Sequence, residues 1–260
     1  MINYICLVIM KIKYLLLTVF GQLVVKSDAD AQKSITHQSL YWLRYYQQLQ
    51  LSSKYTLHAE IENRRFFKNN IQHHTINHYR LQYKLSLYAD AGGGITFSWQ
   101  SPQIPDGVNH LVVPEIRGVQ ELNLAQNISK EFSLGHRFRV DERFIHKNNG
   151  ITLEDGYDFN FRFRYRLQIL YKLTKSLKVK AGDEIMINQG KIIVYNTFDQ
   201  NRVYFSLEKE FSPRLGLELS YINWYQQRPS GNQYFSRDIL RFTFLHKMVL
   251  YGRSNNPDKF

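Results

Sequence analysis

Cysteine is almost absent from the 260 residues: Cys6 stands alone, inside an N-terminal segment that reads as removable. What remains can form neither a disulfide framework nor a cysteine-ligated metal centre. Proline (6) and glycine (14) are sparse, which excludes collagen-like and low-complexity architectures. Downstream of the N-terminal segment no apolar run reaches the roughly 18 residues that a membrane-crossing helix needs. Acidic residues are also in deficit, 22 against 34 basic ones, for a formal charge of +12. These basic residues mostly alternate with aromatic and aliphatic ones, so the excess forms neither a basic tail nor one basic helix face.

Aromatic residues are abundant, with 18 tyrosines and 17 phenylalanines. At the N-terminus, Met10-Lys11-Ile12-Lys13 precedes an apolar stretch from Tyr14 to Val25, and Ala29-Asp30-Ala31 follows. A short basic stretch, a short apolar core and an Ala-x-Ala site make an export signal, with cleavage expected after Ala31 and the functional start at Met10. The expected organisation is therefore a signal peptide over 1–31 and one β-barrel domain over 32–260.

From Tyr41 to about His246 the dominant period is two, the mark of strands whose faces meet different surroundings. In its clearest stretch Tyr157, Phe159, Phe161, Phe163, Tyr165, Leu167, Ile169, Tyr171 and Leu173 alternate with Asp158, Asn160, Arg162, Arg164, Arg166, Gln168 and Lys172, and only Leu170 breaks the polar set. Eleven such segments can be counted. Short turns are expected at Ser52-Ser53, Ala89 to Gly92, Ser129-Lys130, Thr174 to Ser176 and Ser212-Pro213, with longer loops over 68–77, 101–113, 147–156, 188–200 and 227–237. Strict alternation of short and long connections, with strands approaching the nine to eleven residues of a tilted membrane strand, points to an all-β fold. The expectation is a single antiparallel transmembrane β-barrel of the outer membrane. Because such barrels have even strand numbers, about twelve strands are expected, with ten as the alternative and the missing one sought within 32–39.

Four runs stand out: Trp42-Leu43-Arg44-Tyr45, Leu57 to Arg65, Phe138-Arg139-Val140-Asp141-Glu142-Arg143-Phe144, and Phe198-Asp199-Gln200-Asn201-Arg202. As an ordered set of acidic-x-x-Arg patterns they resemble a bacterial family known as domain of unknown function 2490. The resemblance spans about residues 40–245. It implies a secreted outer-membrane barrel and brings no activity with it.

If the apolar faces meet lipid, the polar faces meet the lumen. The residues expected to line it are Glu60, Glu62, Arg64, Arg117, Glu121, Arg137, Arg139, Asp141, Arg143, Arg162, Arg164, Arg166, Glu184, Arg202 and Glu208. Excess arginine would favour anions, which suggests a narrow pore for small anionic or polar solutes. The same charges could instead pair across strands and fill the barrel, leaving a structural or binding component of the envelope; the sequence leaves both open. His37-Gln38-Ser39 has the His-x-Ser spacing of barrel lipid hydrolases, but three-residue patterns recur by chance, so no enzyme is expected. His73, His74 and His78 read as solvated loop residues, and neither a metal nor any other cofactor is expected. Trp42, Tyr45, Tyr46, Phe66, Phe67, Trp99, Trp224 and Tyr225 are expected to form interfacial girdles. The expected partners are outer-membrane lipid and small solutes. Nucleic acid is excluded because the aromatic and basic residues occupy opposite faces of their strands. The sequence does not specify the oligomeric state.

Overall fold

A computed structural model describes residues 33–105 and 107–250. The expected signal peptide lies outside them. The described chain forms eleven strands: β1 (Ser34–Gln50), β2 (Tyr55–Phe66), β3 (Gln72–Lys84), β4 (Ala89–Gln100), β5 (Val113–Asn127), β6 (Phe132–Asn148), β7 (Leu153–Lys172), β8 (Leu177–Gln189), β9 (Phe198–Glu210), β10 (Leu215–Gln227) and β11 (Gln233–Val249). Each strand pairs with its sequence neighbours, and β1 pairs with β11 to close the barrel.

The expected count of twelve gives way to eleven for a geometric reason. A ring made only of antiparallel neighbours needs an even number of strands, so an odd ring must contain a parallel pair. Here β1 and β11 run parallel without interruption, from Ser34 opposite Gln233 to Gln50 opposite Val249. Within the segment searched for a missing strand, residues 34–39 are the first part of β1, which extends beyond the end of its ladder with β2 at Leu40 and Phe66.

One end of the barrel is uniform. Residues 51–54, 85–88, 128–131, 173–176 and 211–214 form five connections of equal length. In each, the first two backbone N–H groups donate to the carbonyl of the residue that opens the next strand, as Leu51 and Ser52 do to Tyr55 and as Phe211 and Ser212 do to Leu215. A hydroxyl at the second position then accepts from backbone N–H groups ahead of it; Ser52, Ser86, Ser129, Thr174 and Ser212 fill this role. This is the local hydrogen bonding that makes Ser and Thr turn formers. The second turn therefore lies at 85–88, and the expected turn at Ala89 to Gly92 is the start of β4.

The opposite connections, 67–71, 101–112, 149–152, 190–197 and 228–232, differ in length. Several are shorter than expected because polar strand ends stay in the ladder: β3 already begins at Gln72, and β6 continues to Asn148. The bend over 68–70 is made by Asn69 and Asn70 at φ 56° and 53°, a conformation that asparagine tolerates better than most residues.

Alternation along the strands puts apolar side chains outside. On β7, Tyr157, Phe159, Phe163, Leu167, Ile169 and Tyr171 are exposed, while Asn160 and Arg162 are buried. Similar exposed rows run along β9 (Val203, Phe205, Leu207) and β10 (Leu217, Leu219, Tyr221).

The sheet coils tightly where β3 meets β4. A Cβ added at Gly94 would stand 2.0 Å from the carbonyl oxygen of Tyr79, whereas one at Gly135 would find nothing nearer than 3.9 Å. Gly94→Ala is therefore expected to lower the thermal unfolding midpoint of the purified barrel, and Gly135→Ala to leave it nearly unchanged. Equal midpoints would show that the close approach at Gly94 relaxes without cost.

Candidate functional site

The inward positions of all eleven strands surround a central cavity of about 520 Å³. Its lining runs from Gln103 and Gln226 at the variable-loop end to His246 and Lys247 at the uniform-turn end. Of the residues expected to face the lumen, Glu60, Glu62, Arg64, Arg117, Glu121, Arg137, Arg139, Arg143, Arg162, Arg164, Arg166, Glu184, Arg202 and Glu208 line this cavity. Asp141 is fully buried behind it.

These charges are laced across strands. Glu60 takes Arg44 at 3.4 Å and Arg80 at 2.7 Å, and Arg80 also reaches Glu121 at 2.5 Å. Glu218 receives Arg44, Lys180 and Arg241, at 3.3, 2.7 and 3.1 Å, while Lys180 also contacts Glu208. A second group joins Arg137 and Arg164 through Glu184, then Arg164 and Arg139 through Asp141. Smaller units are Arg117–Glu115–Arg143, Arg64–Glu62 and Arg162–Asp199. Charges withdrawn from bulk water need such partners.

Among the described residues three lumen arginines have no carboxylate partner: Arg166, Arg202 and Arg237. Arg237 is fully buried and donates to the neutral amide oxygens of Gln38, Gln226 and Gln103, at 2.7, 2.6 and 2.9 Å. Arg202 donates to Gln200 at 3.0 Å, and its Nε has no partner; the same holds for the Nε of Arg166. The lumen thus holds more cations than its carboxylates balance.

The interior is not uniformly polar. Leu40, Trp42, Phe66, Ile222, Trp224 and Ile239 form a buried apolar cluster on β1, β2, β10 and β11. Trp42, Phe66, Trp224 and Tyr46 therefore leave the expected girdles, because their strand parity points them inward, whereas Phe67 and Trp99 are exposed. The two indoles meet edge-on at 6.0 Å and guanidinium groups cover them. Arg64 lies 3.8 Å from the Trp42 ring, and Arg202 and Arg237 lie 4.7 and 4.4 Å from the Trp224 ring, within cation–π range.

Two irregularities shape this region. Between β2 and β3 the register shifts at Arg64 and Arg65, so that neighbouring His73 and His74 are both buried inside. Across from Met186 and Ile187 a second shift makes Asp199 the extra residue of β9, and it pairs with Arg162 at 2.8 Å. The three histidines expected in solvent are thus strand residues within the lumen. His73 shares a 2.9 Å hydrogen bond with Gln103, a residue of the 101–112 loop folded into the mouth. His78 contacts Thr96 and accepts from Arg139 at 3.1 Å. No group of metal-ligating residues occurs among the described residues.

Sequence reasoning missed Arg44, Arg237, Asp199 and the tryptophan pair. Parity could have placed Trp42 with Arg44 and Trp224 with Ile222, but the register shift that turns Asp199 inward leaves no mark on the sequence. His37 and Ser39 are exposed at the start of β1, outside the lumen, and no side-chain hydrogen bond joins them among the described residues.

No curated protein matches the chain. Among solved structures it is similar to a NanC porin, with 13% identity over 77% of this chain and 90% of that one, and a TM-score of 0.49. Residues 40–235 match the family described as "Protein of unknown function (DUF2490)". Three-quarters of the sequence lies within that match, and the chain belongs to this family.

Proposed function

We propose that this protein is an outer-membrane β-barrel of the bacterial envelope and serves as a narrow pore for small anionic or polar solutes. The observation that carries the reading is the reversal of the usual protein interior: most of the large apolar residues are outside and the arginines inside. A ring of exposed Phe, Leu, Ile and Tyr around a closed sheet suits hydrocarbon, since closure leaves no backbone edge unpaired in lipid. The long strands fit the same setting, β7 having 20 residues against the nine to eleven needed to cross.

The anionic preference rests on Arg166, Arg202 and Arg237. Fixed positive charge in a low-dielectric tube raises the local concentration of anions, and the lining reaches both ends of the barrel. The role proposed is non-catalytic and free of cofactors. The cross-strand ion pairs favour a second reading, in which the barrel is filled and acts as a structural or binding element of the envelope.

Phe161→Arg, placed among the outer aromatics Phe159 and Phe163, is expected to cost about 2–4 kcal/mol in vesicle folding equilibria. Gln168→Arg lies on the lumen side and forfeits only the hydrogen bond from Tyr204, a loss of about 1 kcal/mol. Equal costs would overturn the assignment of faces.

Single-channel recording in planar bilayers tests the pore itself. A steady conductance with an anion-selective reversal potential, weakened in Arg166→Glu, is the expected result. A correctly folded barrel that never conducts would replace the pore with the filled barrel.

A further inference from the structure

Several buried polar atoms around the tryptophan pair have no partner. The indole N–H groups of Trp42 and Trp224, the Nε of Arg202, the Nδ1 of His73 and the Nε2 of His74 all lack a hydrogen-bond partner within the protein. They belong to one neighbourhood. The His73 ring lies 5.8 Å from Trp224 and 6.0 Å from His74, and Arg202 lies over both indoles, at 4.7 and 5.6 Å. Unpaired buried polar groups call for an explanation, and water could satisfy their hydrogen bonds.

Water cannot supply the missing charge. Arg64, Arg202 and Arg237 gather on the two indoles, and of their partners only Glu62 is a carboxylate, 2.6 Å from Arg64. Two guanidinium charges are left over, withdrawn from bulk solvent. We infer that this cluster is a binding site for a small oxoanion, a carboxylate or phosphate group held by Arg202 and the indole N–H groups. Arg202 donates from one terminal amino group to Gln200 and keeps its Nε–H unpaired beside the indoles; a planar fork of this kind fits two oxygens of one oxoanion. His73 adds selectivity. If its Nε2–H donates to the Gln103 carbonyl, the free Nδ1 accepts, which suits a ligand that carries a hydroxyl beside its charge, as hydrogen phosphate does.

The site deepens the pore reading and rests on it to the extent that solute must enter the lumen, yet binding does not require passage through. Tryptophan fluorescence reports on it directly. The sequence holds three tryptophans, and Trp99 is exposed on the outer face, so Trp99→Phe leaves only the two at the site.

Detergent-solubilised Trp99→Phe protein would be titrated with inorganic phosphate, and separately with acetate, each replacing sodium chloride at constant ionic strength. The expected result is a saturable change in emission. Arg202→Gln should weaken its apparent affinity at least tenfold, whereas Lys247→Gln, which removes the same charge at the uniform-turn end, should leave it unchanged. The stronger of the two anions identifies the head group. A response to neither beyond that to chloride would overturn the site, and so would equal weakening by both variants, because the effect would then belong to the potential of the whole lumen. Should Arg202→Gln fail to fold, the Trp99→Phe titration still decides whether a site exists. Saturable binding without conductance would remove the pore and keep the site; conductance without saturable binding would do the reverse.

Discussion

The ladder between β1 and β11 is the contact on which every other feature depends. Ten antiparallel neighbours alone would leave a curled sheet with two open edges, and an open edge is intolerable in lipid and prone to pair with other chains in water. Closing the ring defines an inside. Only then do the alternate residues of each strand converge on a common space, and only then do Arg44 on β1, Glu218 on β10 and Lys180 on β8 join one network. The parallel arrangement is the consequence of an odd count, and its unbroken register shows that such a closure can be as regular as an antiparallel one.

Within that enclosure the charge pattern resolves two opposing demands. A polar interior keeps the apolar residues free to face outward, but each charge withdrawn from solvent needs compensation. Carboxylates shared between two or three cations meet most of it: Glu60, Glu115, Glu184 and Glu218 are each contacted by more than one basic side chain. The sharing stops around the Trp42–Trp224 pair. There, amides replace carboxylates around Arg237, and aromatic faces take over part of the stabilisation of Arg64 and Arg202. Compensation by neutral dipoles and π-faces holds a guanidinium in place without cancelling its field.

Much of this architecture was legible in the sequence, because period two is a direct reading of which face a residue occupies. The alternation from Tyr157 to Leu173 separates outward aromatics from inward arginines, and the family-like runs carry acidic and basic residues at inward positions. Strand number was harder to read. The eleven segments are visible, but the parity argument that raised them to twelve assumed antiparallel closure, and nothing local in β1 or β11 announces a parallel partner. Single-residue register shifts were equally silent, which is why His73 and Asp199 looked like ordinary loop or strand residues. The Trp42–Trp224 contact joins positions 182 apart in the chain, a distance that periodicity does not span.

The five matching Ser/Thr turns join β1 to β2, β3 to β4, β5 to β6, β7 to β8 and β9 to β10, so each makes a hairpin from residues close in sequence. Among the described residues β11 has no such turn to a following strand. Local hairpins form at small entropic cost, whereas closing the ring must bring together residues 199 positions apart, as in the Arg44 and Thr243 contact, and that loop entropy is met only after the nearer pairings exist. Assembly is thus expected to proceed as five hairpins that zip into a growing sheet, with β1 and β11 as its last free margins. During that interval these two margins are the backbone edges left without a pairing partner, and so the places where the growing sheet is open to pairing with another chain.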